Sequence, residues 1–338
     1  MNILKKIIKT IGLALLSLLA LTAIMLGYFN LPVENNGGSA KLGMTFSSKY
    51  ASSIGLDWKA NYVAMLDDLQ IRKIRIPVYW DLVESEEGVY DFSDVDWQLD
   101  EAGKRNAEII LAIGQKTPRW PECNIPDWAR QSDEKRKEKL LEFVDVTARR
   151  YKDTRVIKYW QVENEPFLRF GICPAPDAGL LDREIAVVRE IDNARDIIVT
   201  DSGELSLWVQ AAKRGDIFGT TMYRTIWKEG IGYFEYPIGP RFFQFKNLLI
   251  KIFAQQANAI VIELQAEPWI SGATTDNVLA EQFKSMNPEQ LESNVEYAEK
   301  VGFPEIYLWG VEWWYWLKET QGHPELWDTA REIYKNRQ

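Results

Sequence analysis

The 338-residue chain contains one histidine, His323, and two cysteines. A single histidine excludes Ser-His-Asp triads, Cys-His nucleophiles and histidine-rich metal sites. The net charge of −9 at pH 7 argues against a nucleic-acid partner, which would require a basic surface. No Gly-x-Gly-x-x-Gly segment follows an early strand-like run and no Walker-type phosphate loop is present, so nothing supports nucleotide binding. Polar chemistry must therefore come from carboxylates, tyrosine, lysine or arginine.

The N-terminal segment differs in composition from the rest of the chain. Lys5, Lys6 and Lys9 precede the run 11–29, which contains no charged residue. A helix of that length spans roughly 28 Å, close to the hydrocarbon thickness of a bilayer. The sequence therefore predicts a membrane anchor over 1–30, with its N-terminus in the cytoplasm and the remainder of the chain outside.

A cleaved signal peptide is the alternative for this segment, and it would leave a secreted protein. Signal peptides usually have a shorter apolar run followed by a small-x-small cleavage site, and the run here ends instead in Met25-Leu26-Gly27-Tyr28-Phe29. Residues 31–40 are rich in turn formers and predict a flexible linker. The linker leads to one domain over 41–338, in which 46% hydrophobic residues across the chain allow a substantial core.

Strand-like runs alternate with helical patterns from residue 41 onward. One helix is marked by Asn287 as N-cap, Pro288 at its first position, Gln290 as capping-box partner and Gly302 as its stop. This alternation predicts a (β/α)₈ (TIM) barrel, with a doubly wound open sheet as the alternative. The predicted strands are Leu42–Phe46, Lys73–Val78, Glu108–Ile113, Val156–Val162, Ile197–Thr200, Ile217–Met222, Ala259–Ile262 and Glu305–Trp309.

Two of these runs are followed by glutamates. Glu165 comes after the fourth predicted strand and Glu263 after the seventh. The active sites of such barrels lie at the C-terminal ends of the strands, so the fold would bring the two carboxylates together. A pair of carboxylates is the equipment of glycoside hydrolysis. Other polar and aromatic residues near predicted strand ends are Arg75, Trp80, Asn164, Asp201, Glu204, Tyr223, Trp309 and Glu312.

These segments resemble clan A of the glycoside hydrolases, which are retaining enzymes built on (β/α)₈ barrels. Asn164-Glu165-Pro166 resembles the strand-4 signature whose glutamate is the general acid/base. Arg75-Ile76-Pro77-Val78 resembles the strand-2 segment of the cellulase-like family five. Ile262-Glu263-Leu264-Gln265 is similar to the nucleophile segment of the family forty-two β-galactosidases. Glu84 to Phe92 resembles the loop after strand 2 in these families.

The resemblance implies a role for each matching residue. Glu165 would be the acid/base and Glu263 the nucleophile, with Glu267 as the alternative nucleophile. Asn164 would bind the sugar 2-hydroxyl, a contact that strengthens at the transition state. Arg75 and Tyr223 would support the nucleophile, and tryptophans offer flat faces to a pyranose ring. The expected substrate-binding residues are Arg75, Trp80, Asn164, Tyr223 and Trp309.

The expected activity is that of a retaining β-glycosidase or glycanase outside the cytoplasmic membrane, acting on a β-linked oligo- or polysaccharide without a metal or organic cofactor. A non-catalytic glycan-binding barrel is one alternative, since binding requires the tryptophans but not both carboxylates. A transglycosylase that remodels surface glycans is another, because it shares the covalent intermediate. The oligomeric state stays open.

The two cysteines lie in neighbouring loops of the predicted barrel. Cys123 follows the third predicted strand and Cys173 follows the fourth. An exported protein meets oxidising conditions. The sequence therefore predicts a Cys123–Cys173 disulfide.

Overall fold

The computed structural model describes residues 2–34 and 40–337. Residues 35–39 of the predicted linker lie outside the described residues. The strands are β1 (Lys41–Thr45), β2 (Lys73–Pro77), β3 (Glu108–Ile113), β4 (Ile157–Val162), β5 (Ile197–Asp201), β6 (Ile217–Met222), β7 (Thr225–Lys228), β8 (Gly232–Glu235), β9 (Ala259–Gln265) and β10 (Glu305–Trp309).

Helices occupy most of the segments between the strands. They are α1 (Asn2–Phe29), α2 (Ser48–Ser53), α3 (Trp58–Asp67), α4 (Trp80–Val83), α5 (Ser93–Lys104), α6 (Asp133–Tyr151), α7 (Ala178–Ile191), α8 (Val209–Ala212), α9 (Arg241–Phe253), α10 (Leu279–Gln282), α11 (Pro288–Val301), α12 (Val311–Trp316) and α13 (Glu325–Lys335). Short 3₁₀ turns cover Asp127–Gln131 and Thr274–Asp276, and a π-helical turn covers Leu317–Gln321.

Eight parallel strands close into a barrel in the order β1-β2-β3-β4-β5-β6-β9-β10. The last strand pairs with the first, with Trp309 opposite Thr45. Closure excludes the doubly wound alternative, because an open sheet would leave two unpaired edges. The (β/α)₈ barrel predicted from the sequence is therefore confirmed.

Apolar side chains on both faces of the strands explain the barrel. In β3, every residue after Glu108 is buried, as expected for a parallel strand that is covered on both sides. Ile109 packs into the main core, whereas the next residue, Ile110, joins a separate cluster with Ile198 and Tyr307. Gly43 makes room for this cluster, since a Cβ there would lie 2.5 Å from the Tyr307 ring.

The predicted ends of α11 are confirmed, but its capping box is not formed. The Asn287 side chain accepts a hydrogen bond from the Gln290 backbone N–H at 2.9 Å, and Gly302 ends the helix at φ 87°. The Gln290 side chain donates instead to the Lys284 carbonyl at 3.3 Å. The N-cap therefore acts alone.

An antiparallel hairpin, β7–β8, interrupts the alternation after β6. Trp227 pairs with Tyr233 across it, and aromatic cross-strand pairs stabilise such hairpins. The eight strands predicted from the sequence do not include this hairpin. The hairpin leads directly into α9.

The N-terminal helix α1 is long and apolar enough to cross a membrane. The most apolar 18-residue stretch within Lys5–Phe29 has a mean hydropathy of 2.2, and none of that stretch is buried. Its C-terminal end contacts the barrel domain. The Phe29 ring lies 5.3 Å from the Phe242 ring and 5.8 Å from the Phe245 ring. The Asn30 side-chain amide donates to the Pro237 carbonyl at 3.0 Å. Length and composition alone fit an anchor or a signal peptide equally.

Candidate active site

Arg75 on β2 lies at the centre of the candidate site and is fully buried. Its guanidinium donates to Glu263 Oε1 at 2.7 Å, to Asn164 Oδ1 at 2.6 Å and to Gln161 Oε1 at 2.8 Å. A buried charge is tolerated when it is paired and hydrogen-bonded. One side chain thus ties β2 to the ends of β4 and β9, and brings three of the sequence-predicted residues together.

Glu263 has a partner on each carboxylate oxygen. Arg75 contacts Oε1, and the Tyr223 hydroxyl donates to Oε2 at 3.1 Å. Burial and the charge of Glu263 hold the pKa of Tyr223 well above its usual range, so the phenol remains a donor. Glu263 lies within β9, which is longer than predicted and extends to Gln265. Its carboxylate is therefore fixed in position and balanced in charge.

Glu165 has different surroundings from Glu263. Its side chain accepts from the Thr221 hydroxyl at 3.3 Å, and its backbone N–H donates to Thr200 Oγ1 at 2.8 Å. Burial first, then the charges of Glu263 and Glu122, raise the pKa of Glu165 well above its usual range. The environment therefore favours a protonated carboxyl group.

The backbone around Glu165 is unusual. Glu163 has φ 59° and Glu165 has φ 43°, in the left-handed region that non-glycine residues seldom adopt. Such conformations persist where the surrounding structure holds them and cluster at active sites. Here the Lys116 ammonium donates to the Glu165 carbonyl at 2.9 Å and helps to hold this turn.

Glu122 is a site residue that the sequence analysis missed. It lies in the loop after β3, is buried, and accepts from the Asn164 amide at 3.3 Å. Burial and the charge of Glu263 raise the pKa of Glu122 to about 8. The one signal in the sequence is its position beside Cys123, because no motif marks it.

The predicted disulfide between Cys123 and Cys173 is confirmed, with Cα atoms 5.2 Å apart. It joins the loops after β3 and β4. These loops pack tightly, since a Cβ on Gly171 would lie 2.6 Å from the Glu122 Cβ. Gly171 also has φ 81°, a backbone conformation that favours glycine. The disulfide therefore sits directly beside the carboxylates.

Glu163 holds the start of the loop after β3. Its carboxylate accepts from the backbone N–H groups of Gln115 at 2.8 Å and Lys116 at 2.7 Å. Both of its oxygens therefore hold the loop after β3, which leaves Glu165 as the glutamate of this segment that adjoins Asn164 and Glu263.

Glu267, the alternative nucleophile, is engaged elsewhere. It pairs with Arg119 and accepts from the Trp309 indole N–H at 2.7 Å. Arg119 also donates to Glu312 at 2.7 Å. The Arg119 guanidinium lies between two rings, 4.0 Å from the Tyr50 centroid and 4.2 Å from the Trp309 centroid. Glu267 thus belongs to an ion-pair network beside the Arg75–Glu263 pair.

The expected sugar-stacking role of Trp80 is wrong. Trp80 is fully buried, stacked on Phe143 at 5.7 Å and in edge contact with Trp128 at 5.9 Å. Its indole N–H donates to Glu84 at 2.7 Å. Trp80 begins α4, and its side chain points into the core. The position at the end of a strand alone did not determine this direction. Trp309 is 6% exposed and contacts Arg119, so its place under a sugar stays a prediction.

A row of aromatic rings runs outward from Tyr223. The Trp269 ring lies 5.0 Å from Tyr223, Phe170 lies 6.0 Å from Trp269, and Trp120 lies 6.1 Å from Phe170. Trp120 is 64% exposed. We call Tyr223, Trp269, Phe170 and Trp120 the aromatic row. Two of its members lie in the loops that the disulfide joins.

Glu204 and Asp201 lie beside the site. Glu204 accepts from the Tyr223 backbone N–H at 2.9 Å, and burial raises its pKa to about 7. Asp201 accepts from the Ser202 N–H at 2.9 Å. Glu204 therefore positions Tyr223, and substrate contact by either acid stays a prediction. Within residues 2–34 and 40–337, no group of three or more potential ligands could hold a metal ion.

The fold and the site define a class: a (β/α)₈ barrel with two buried glutamates at the strand ends. Solved structures with the same fold include a β-galactosidase from the haloarchaeon Halorubrum lacusprofundi, with a TM-score of 0.58 and 15% identity over 87% of this chain. A GH10 endoxylanase from a sugarcane soil metagenome has a TM-score of 0.57 and 12% identity, covering 87% of this chain and 97% of its own.

A third structure is a GH5_18 protein from Bifidobacterium longum in complex with Manβ1-4GlcNAc, with a TM-score of 0.59 and 12% identity over 88% of this chain and 78% of its own. The match covers 57% of the Halorubrum β-galactosidase, so the chain spans little more than half of that enzyme. These likenesses confirm the (β/α)₈ barrel fold. No protein-family profile matches the chain, and no curated protein matches it.

Proposed function

We propose that the protein is a retaining β-glycosidase or glycanase, with Glu263 as nucleophile and Glu165 as general acid/base. The observation that carries the proposal is the contrast between the two carboxylates. Glu263 is paired with Arg75 and Tyr223, whereas the pKa of Glu165 is raised by burial and by the charge of Glu263. A retaining glycosidase needs one charged and one protonated carboxyl group.

In the proposed mechanism each carboxyl group acts in both of two steps. A Glu263 oxygen attacks the anomeric carbon while the glycosidic C–O bond breaks, and the Glu165 proton moves to the leaving oxygen. In the second step Glu165 takes a proton from water, the water oxygen attacks the anomeric carbon, and the ester to Glu263 breaks. Asn164, held by Arg75 at 2.6 Å, would bind the sugar 2-hydroxyl.

The aromatic row supports an oligosaccharide substrate. Its inner member, Tyr223, contacts the nucleophile, and its outer member, Trp120, is 64% exposed. Aromatic faces pack against the apolar C–H face of a sugar ring. The names of the structural neighbours, β-galactosidases and an endoxylanase among them, also support a substrate joined by glycosidic bonds.

We further propose that residues 1–30 anchor the enzyme and that residues 41–338 form the catalytic domain outside the membrane. The docking of Phe29 against Phe242 and Phe245 supports an uncleaved segment. Cleavage before residue 30 would remove a buried aromatic ring from this contact and expose the two phenylalanines.

The kinetics of the Glu263→Ala variant test the proposed role of Glu263 as nucleophile. Turnover of an aryl β-glycoside should be abolished, and azide should restore it with an inverted α-glycosyl azide as product, because the small anion replaces the nucleophile on the opposite face. In Glu165→Ala, substrates with good leaving groups should keep more activity, because they need little protonation.

Glu267→Ala is the matched control, since it removes a buried carboxylate from the neighbouring Arg119 network. It should give no glycosyl azide. Full activity in Glu263→Ala, together with azide rescue in Glu267→Ala, would show that the nucleophile is Glu267. Proton NMR of the first product released by the native enzyme should show the β anomer, and an α anomer would overturn the retaining mechanism.

A further inference from the structure

Helix α9 presents an exposed apolar face beside the docking point of α1. Leu248, Ile252 and Phe253 are 51%, 59% and 60% exposed. Single exposed apolar residues are ordinary on protein surfaces. These three lie within two turns of one helix, whose buried residues are Phe243, Lys246 and Ile250.

The exposed face continues the surface on which α1 docks. Phe245 contacts Phe29, and Leu248 and Ile252 follow it at spacings of three and four residues, which places all three on one side of the helix. From Phe245 to Phe253 the helix advances about 12 Å. The face therefore begins at the docked end of α1 and runs away from it.

The docking contact is built into the fold. Arg241, the first residue of α9, donates to the Pro32 carbonyl at 3.0 Å and to the Leu31 carbonyl at 3.3 Å. Gly239 permits the close approach, since a Cβ there would lie 2.4 Å from the Phe29 carbonyl oxygen. The chain that leaves α1 is thus held against the start of α9.

We propose that the face formed by Leu248, Ile252 and Phe253 lies on the lipid bilayer that α1 spans, so that the barrel has a fixed orientation at the membrane surface. We choose a bilayer as the partner of this face because a candidate membrane-spanning helix, α1, ends against the same side of α9. Amphipathic helices bind at the lipid interface by burying such a face. Exposed Lys251 lies beside it and suits anionic headgroups. The inference rests on the proposed anchoring and is independent of the glycosidase chemistry.

Nitroxide labels on the full chain in phosphatidylcholine–phosphatidylglycerol vesicles test this contact. Leu248→Cys and Ile252→Cys place labels on the face. Val89→Cys is the control, because Val89 is 61% exposed and follows β2, which lies opposite β6 in the barrel order. Both native cysteines are in the disulfide and do not compete for the label under non-reducing conditions.

Labels at 248 and 252 should lose accessibility to a water-soluble nickel complex and gain accessibility to oxygen relative to the label at 89. Equal accessibility at all three positions would overturn the proposal. Protection that disappears when the protein is diluted in lipid, with dipolar coupling between labels, would identify a second copy as the occupant and also overturn it.

Flotation of the vesicles separates the two proposals. Protein that does not float with lipid would refute the anchoring, and with it this inference. Protein that floats while its labels at 248 and 252 remain in water would refute the α9 contact alone. If a cysteine variant does not fold, Lys251→Glu supplies the second test: it should raise nickel accessibility at the other labelled position in anionic vesicles, and no change would count against the contact.

Discussion

Two glutamates with the same side-chain chemistry have different surroundings here. Glu263 contacts a guanidinium and a phenol, whereas Glu165 contacts the Thr221 hydroxyl and feels the charge of Glu263. Removing one partner of a buried ion pair typically costs about 3–5 kcal/mol. Arg75 thus stabilises the barrel as well as the proposed nucleophile, because without it Glu263 would be buried without this cation partner.

Glu122 helps to raise the pKa of Glu165 and gives a pH prediction. In the proposed mechanism Glu165 is the general acid and must be protonated, so activity should fall as pH rises through the pKa of Glu165. Burial, Glu263 and Glu122 all raise that pKa, and Glu122 itself has its pKa raised to about 8. Glu122→Gln removes one raising contribution, so the alkaline limb of the kcat/KM profile should move to lower pH.

Glu292→Gln is the control for this shift, since Glu292 is an exposed carboxylate on α11. Its profile should match that of the native enzyme. An alkaline limb that stays in place in Glu122→Gln, or moves to higher pH, would contradict the role assigned to Glu122.

The loops after β3 and β4 act as one element because the disulfide joins them. Cys123 and Cys173 close a loop with a sequence separation of 50, for which the chain-entropy account gives a stabilisation of roughly 4 kcal/mol as an upper value. The double variant Cys123→Ser, Cys173→Ser should therefore unfold at lower urea concentration. Activity should also fall, because Glu122 and Trp120 lie on the freed loop.

Reduction of the native protein should reproduce the lower midpoint, which separates loss of the bond from an effect of the serines. A double variant with an unchanged midpoint and unchanged kcat/KM would show that packing around Gly171 holds the loops without the bond.

The aromatic row predicts how substrate length affects activity. Trp120 is exposed and is the member of the row furthest from Tyr223 in the chain of ring contacts, so it would contact a sugar beyond the one that reacts. Trp120→Ala should raise KM for a β-linked oligosaccharide and leave KM for an aryl β-monoglycoside nearly unchanged. Val278→Ala, at a residue 73% exposed in the loop after β9, is the control. Equal KM increases for both substrates would count against this contact.

Strands were more predictable than the loops between them. Continuous apolar runs such as Glu108–Ile113 specify buried parallel strands, and the structure reproduces that segment residue for residue. The direction of a side chain at a strand end was harder to predict. Trp80 follows β2 as expected, yet its ring packs on Phe143 instead of facing the candidate site. The place of Glu122 in the site could not be predicted from the sequence, because it depends on contact with Asn164. That residue is distant in the sequence, and only the folded barrel brings it near.

At the scale of the whole molecule, the docking point of α1 is connected to the candidate site. The Arg224 side chain, next to Tyr223, donates to the Ile238 carbonyl at 2.8 Å, and its backbone N–H donates to Gln265 at the end of β9 at 2.8 Å. Pro237, which accepts from Asn30, precedes Ile238. The C-terminal end of α1 thus attaches close to the strand ends that carry Glu263. With α1 as the proposed anchor, glycans near the membrane surface become the expected substrates.

The fate of the N-terminal segment is the final prediction. An uncleaved anchor requires that the native protein pellet with membranes after carbonate washing and that its intact mass match the full chain of 39.1 kDa. Leu18→Arg with Leu19→Arg should abolish this association, because each arginine at the centre of a spanning helix costs about 2.5–3.5 kcal/mol. Leu18→Ile with Leu19→Ile is the matched control and should remain in the membrane. A soluble native protein whose first residue lies near position 30 would instead establish a cleaved signal peptide, and the Phe29 contact with α9 would then exist only before cleavage.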